Sequence, residues 1–137
     1  MTYPTIFPSL RYDDPKAAID FLVLAFGAEP HAVYRTDDGT IRHAEVRLGN
    51  GIVMLGSPQP GTPAARGGGV GIYVVVEDAD AHYGRARDAG AEITRDLEDT
   101  DYGSRGYSAR DREGNEWHFG TYQPFAFDRE AETVAAR

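Results

Sequence analysis

The stretch Asp111-Arg112-Glu113-Gly114-Asn115-Glu116-Trp117-His118-Phe119-Gly120 is a polar turn running into a short aromatic strand, and its reading decides how the rest of the chain is arranged. The Gly114-Asn115 pair suits a tight reversal, because both residues accept positive φ at little cost. Beyond the turn, a period of two places Trp117 and Phe119 on one face and Glu116 and His118 on the other. His118 is thereby directed away from the core-forming face. Three roles are open to a histidine so placed: metal ligand, acid–base group, or part of a pocket wall.

Outward from this strand the chain reads as one unit written twice. Residues 5–12 alternate Ile6, Leu10 and Tyr12 against Phe7, Ser9 and Arg11, the period of a half-buried strand, and Pro8 fits an edge. Asp13-Asp14-Pro15 opens a helix, since Asp14 can cap it and Pro15 suits its first position. Ala18, Ile19, Leu22, Ala25 and Phe26 then recur at helical spacing, and Gly27 stops the helix. Strands are predicted over 31–35 and 41–48, joined at Asp37-Asp38-Gly39, and Gly49-Asn50-Gly51 turns the chain into a further strand over 52–55.

The second half follows the same order. A strand over 71–76 precedes Asp78, which caps a helix carrying Ala79, Tyr83 and Ala86, and Gly90 ends that helix. The acidic connection over 98–106 reads either as a loop bordering a binding cup or as an ordinary irregular β connection. Asp14, Gly27 and Gly49-Asn50 recur as Asp78, Gly90 and Gly114-Asn115, displaced by about 64 residues. The repeat predicts one α+β domain over 1–137, with βαβββ modules at 5–56 and 70–122, a Pro- and Gly-rich linker at 57–69 and a tail at 123–137. Two such modules packed edge to edge form a concave mixed β-sheet cup with helices on the outside, and concave surfaces are where ligands bind.

Composition narrows the function. A chain of 137 residues, 41% hydrophobic, buries one substantial core. Without cysteine it has no disulfide, thiolate chemistry or Cys-based metal site, which fits a cytoplasmic protein. No apolar run approaches the ~20 residues that cross a bilayer, so no membrane partner is expected. A net charge of −8 with no block of Lys or Arg argues against nucleic acid and leaves a small molecule, cationic or planar aromatic, as the expected partner. No phosphate loop, His-Glu-x-x-His or nucleophile elbow is present in the sequence.

The tandem βαβββ order, the Asp13-Asp14-Pro15 helix start, His43-Ala44-Glu45-Val46-Arg47-Leu48 and the Asp111-x-x-Gly114-Asn115-x-Trp117 turn resemble the vicinal-oxygen-chelate superfamily. Within it the chain is most similar to the glyoxalase, bleomycin-resistance and dioxygenase-like branch that includes the PhnB-like proteins. The resemblance implies four metal positions, which fall here on Phe7, Val53, Gly71 and His118, and only the last offers a donor. No metal cofactor is therefore expected, and neither is the Lewis-acid chemistry of glyoxalase or extradiol dioxygenase. The resemblance further implies a homodimer and a function like that of the antibiotic-sequestering members, which bind drugs in concave clefts without chemistry.

The expected ligand-binding residues are Phe7, Ser9, Arg11, His43, Glu45, Arg47, Val53, Tyr73, Arg110 and His118. His43, Glu45 and Arg47 alternate with apolar Ala44, Val46 and Leu48, so they point either into the cup or onto a merely solvated sheet face. Arg110 takes the repeat position of Glu45, and the two either orient a polar ligand between them or pair with each other. The alternative is an enzyme, a lyase or isomerase using His118 with Glu45 as an acid–base pair, or one with metal ligands rearranged around His43 and Glu45.

Overall fold

The structure is a computed structural model that describes residues 4, 6–60 and 70–126. Most of the linker and of the tail, 61–69 and 127–137, lies outside the described residues. The first module comprises β1 (Ser9–Arg11), α1 (Pro15–Phe26), β2 (Glu29–Arg35), β3 (Ile41–Leu48) and β4 (Gly51–Gly56). The second comprises β5 (Gly71–Val75), α2 (Ala79–Asp88), β6 (Glu92–Asp99), β7 (Arg105–Arg110) and β8 (Glu116–Gly120), followed by a 3₁₀ turn at Pro124–Ala126.

Local chemistry sets the helix limits. Asp14 accepts from the Ala17 N–H at 3.1 Å and Asp78 from the Ala81 N–H at 3.0 Å, so both starts are capped as the spacing predicts. Gly27, at φ 75°, takes the left-handed conformation that ends α1. β1 is shorter than the predicted 5–12: Ile6 is 84% exposed and does not join the core face, whereas Leu10 packs against the core and Tyr12 is buried. The connection over 98–106 is a hairpin, since Glu98 pairs with Gly106 and Asp99 with Arg105 across a turn closed by Thr100 and Ser104.

The strands make two four-stranded mixed sheets, ordered β1-β4-β3-β2 and β5-β8-β7-β6, each with one parallel pair. In the first, Ala44, Val46, Val53 and Leu55 are buried, and in the second Tyr107, Ala109, Trp117 and Phe119 are buried. These faces and the two helices share one core. Burying a side chain of the size of Phe26 or Phe119 contributes about 1.5–3 kcal/mol.

Register corrects the repeat by one residue. Val46 pairs with Val53 as Ala109 pairs with Trp117, both on core faces. Five residues, Asp111 to Asn115, separate the paired Arg110 and Glu116, whereas four, Leu48 to Gly51, separate the paired Arg47 and Ile52. Matching the two Gly-Asn pairs therefore slides the strands by one, and a slip of one residue exchanges the faces. The counterpart of His118 is Met54, one residue on from Val53, and the counterpart of Glu45 is Ser108, two residues before Arg110 on the same face.

Hydrogen bonds also join the modules. The Tyr12 hydroxyl donates to Asp111 at 2.6 Å across 99 positions of sequence. α1 has no basic residue in its last turn, and its terminal carbonyls are capped from α2 instead. Arg85 donates to the carbonyls of Val23 and Leu24, each at 3.0 Å, and His82 Nε2 lies 3.1 Å from that of Phe26. Among the described residues no helix is long and apolar enough to cross a membrane.

Candidate functional site

Each sheet has an uncovered face. On the first sheet that face carries Ser9 and Met54, paired across β1 and β4, then Glu45 opposite Met54 and Arg47 opposite Ile52. A cavity of about 630 Å³ lies here, lined chiefly by Phe7, His31, Glu45, Arg47, Ile52 and Met54. Its floor is apolar and its rim is charged, the usual character of a small-molecule pocket.

Glu45 is the centre of the polar rim. Its carboxylate lies 2.8 Å from His43 Nε2 and 3.9 Å from His31 Nε2. His31 reaches this face because β2 has an irregularity between Pro30 and Ala32, which takes the intervening residue out of simple alternation. Arg47 leans toward Glu29 at 3.8 Å.

On the second sheet the corresponding row is Arg95, Ser108, His118 and Tyr73. Ser108 Oγ is 2.7 Å from His118 Nδ1 and accepts from Arg95 Nε at 3.3 Å. The Tyr73 hydroxyl donates to the Tyr122 carbonyl at 2.7 Å, and burial, then the neighbouring Tyr102 phenol, pushes its pKa up.

Of the residues predicted for the site, Phe7, Glu45 and Arg47 line the cavity, and His43 joins them through Glu45. Ser9 flanks Met54, while Arg11 donates to the Ser57 carbonyl at 3.4 Å. Tyr73 and His118 stand on the second sheet's uncovered face. Val53 does not face a ligand: it is 5% exposed on the core side, for the register reason given above. Arg110 pairs with Glu92 at 3.0 Å and not with Glu45. The acid–base pair of His118 with Glu45 is not assembled either, because Glu45 contacts histidines of its own sheet and His118 contacts Ser108.

Sequence reading missed His31, Ile52, Met54 and Ser108. The alternation Ile52-Val53-Met54-Leu55 carried the signal for two of them, and an irregular β2 gave none for His31.

The superfamily's metal positions do not fit an ion. With the register corrected they hold Phe7, Met54, Gly71 and His118, which supply one imidazole and one soft thioether where a divalent ion needs three or more good donors. Among the described residues no three His, Asp or Glu side chains are disposed to hold a metal.

The structure is an α+β architecture of two tandem βαβββ modules with an apolar cavity on an uncovered sheet face. The chain belongs to the Glyoxalase/Bleomycin resistance protein/Dioxygenase superfamily, which matches residues 6–119. It is 37% identical over 125 residues to an uncharacterized protein of Mycobacterium bovis, covering 85% of this chain and 82% of that one. The structure is similar to TioX from Micromonospora sp. ML1, with a TM-score of 0.72 and 37% identity over 85% of this chain and 94% of the other. A superfamily member from Sphaerobacter thermophilus shares the fold, with a TM-score of 0.67 and 24% identity over 83% of this chain and 93% of the other.

Proposed function

We propose that the protein binds a small planar or cationic molecule in the cavity on the first sheet and does so without a metal ion, in the manner of antibiotic-sequestering relatives. The observation that carries this reading is the cavity itself, of about 630 Å³, with Phe7, Ile52 and Met54 as an apolar floor and Glu45 as an anionic rim group. That volume suits a drug-sized ligand. The reading includes a homodimer, supported by the exposure of Phe7, Tyr73 and Val75, each 40–42% accessible on the uncovered faces of a single chain.

The test is thermal denaturation and methyl NMR in the presence of acridine orange, a planar aromatic cation. The expected result is a raised melting temperature and a shifted Met54 methyl signal, and the rise in melting temperature is lost in Met54→Lys, which places a cation on the floor. Glu45→Gln weakens the cationic probe and spares a neutral planar one. Stoichiometric metal in protein purified without chelator, or a Met54 signal that no planar probe moves, overturns the proposal.

A further inference from the structure

The row across the second sheet is directional. Arg95 Nε donates to Ser108 Oγ at 3.3 Å, and Ser108 Oγ lies 2.7 Å from His118 Nδ1. A guanidinium has donors only, so Ser108 accepts from Arg95, and of its two partners only Nδ1 can accept the hydroxyl proton. In a neutral imidazole, an Nδ1 that accepts puts the ring proton on Nε2. Ser108 is 4% exposed, so water does not compete for its hydroxyl.

Nε2 sits over Gly71. A Cβ added there would come within 2.6 Å of Nε2, and the glycine is what gives the ring its room. Among the described residues none takes a hydrogen bond from Nε2. The corresponding row of the first sheet, Ala32, Glu45, Met54 and Ser9, has a thioether where the imidazole stands. That row has no equivalent donor on β4.

We infer that His118 is a fixed hydrogen-bond donor, held as the Nε2–H tautomer by the Arg95–Ser108 relay, for an oxygen acceptor on the bound molecule. The chemical class it selects is a planar apolar body bearing a carbonyl or carboxylate. This rests on the proposed binding function and extends the bound molecule's contacts from the first sheet's cavity to the second sheet's uncovered face. The same proton withholds Nε2 from a metal ion, because a histidine ligand must present a bare lone pair.

Nitrogen-15 NMR of labelled histidine tests this, recorded at about pH 8.5, where an ordinary imidazole is neutral. The free protein should show His118 with Nε2 protonated and Nδ1 as a hydrogen-bonded acceptor, and Ser108→Ala should remove the acceptor signature at Nδ1. Three probes of similar shape then separate the roles: 2-naphthoate, 2-acetonaphthone and 2-ethylnaphthalene. The His118 Nε2 signal should move with the first two and not with the third.

His118→Leu should weaken the two acceptor-bearing probes about three- to tenfold and leave 2-ethylnaphthalene unchanged, while His118→Gln, whose amide retains a donor, should recover most of the loss. An Nδ1-protonated ring, or an Nδ1 signal indifferent to Ser108→Ala, overturns the assignment. Probe shifts at the Met54 methyl with His118 unmoved overturn it and leave the proposed binding function standing. Shifts at neither residue overturn both.

Discussion

Replacing Asp111 by Asn probes the joint between the two modules. The Asp111 carboxylate is buried and serves five donors. One oxygen accepts from Tyr12 Oη at 2.6 Å, Trp117 Nε1 at 3.1 Å and Asn115 Nδ2 at 3.2 Å. The other accepts the backbone N–H groups of Glu113 and Asn115, each at 3.0 Å. Burial, together with the charge of Asp111, keeps the Tyr12 phenol protonated far above its ordinary range, so the tyrosine stays a donor.

Asn has the same shape, but whichever way its amide turns, an NH₂ meets at least two donors that have lost their acceptor. At about 1.5–3 kcal/mol for each hydrogen bond to a charged group, two such bonds make the expected cost of Asp111→Asn about 3–6 kcal/mol. Tyr12→Phe removes a single donor and leaves the carboxylate otherwise satisfied, a loss of about 1–2 kcal/mol. Urea denaturation reads both: with a slope of about 2 kcal/mol per M, the midpoint falls by about 2 M for Asp111→Asn and by less than about 1 M for Tyr12→Phe. A midpoint for Asp111→Asn within about 0.3 M of the parent, or a larger loss in Tyr12→Phe than in Asp111→Asn, refutes the hub.

Other perturbations follow from single contacts. His82 lies between Tyr107 and the end of α1, and burial holds its pKa below the ordinary 6.5. The unfolded chain therefore takes up the proton first, so His82 contributes stability that is present above pH 6.5 and declines as pH falls through 6.5 toward the lowered folded value. Urea midpoints of the parent and His82→Gln between about pH 8 and 5 should converge toward the acid end, and parallel curves would exclude the role. At Gly106 an added Cβ would lie 2.2 Å from the Phe119 carbonyl oxygen, and backbone cannot yield without opening the β7–β8 pair. Gly106→Ala should cost about 3 kcal/mol in thermal melting. Gly84, in α2, has nothing within 4 Å of its Cβ position, so Gly84→Ala should stabilise by up to about 1 kcal/mol in the same assay.

What the sequence made legible was local. Asp14 and Asp78 cap the two helices at the predicted places because a cap depends on residues three apart, and the alternation of β3 placed Glu45 on the uncovered face. Partners set by distant chain were not legible. Glu92, which takes Arg110, and Arg95, which orders Ser108 and His118, lie on a strand whose irregular register defeats simple alternation. The capping of α1 by Arg85 and His82 likewise joins residues more than 50 positions apart and carries no local signature.

The misplacement of Val53 has a sharper cause. The second turn, Asp111 to Asn115, is one residue longer than its counterpart, and aligning the Gly-Asn pairs conceals the extra position. That longer turn begins with Asp111, whose carboxylate binds Glu113 and Asn115 within the turn, Trp117 beyond it and Tyr12 of the other module. The shorter turn begins with Leu48, which has no carboxylate, and Tyr12 has Val76 as its repeat counterpart, so the joint exists once per chain. The lengthened turn that breaks the symmetry of the repeat is thus the one that joins its halves, and Trp117, locked to Asp111, fixes the register that turns His118 to the uncovered face.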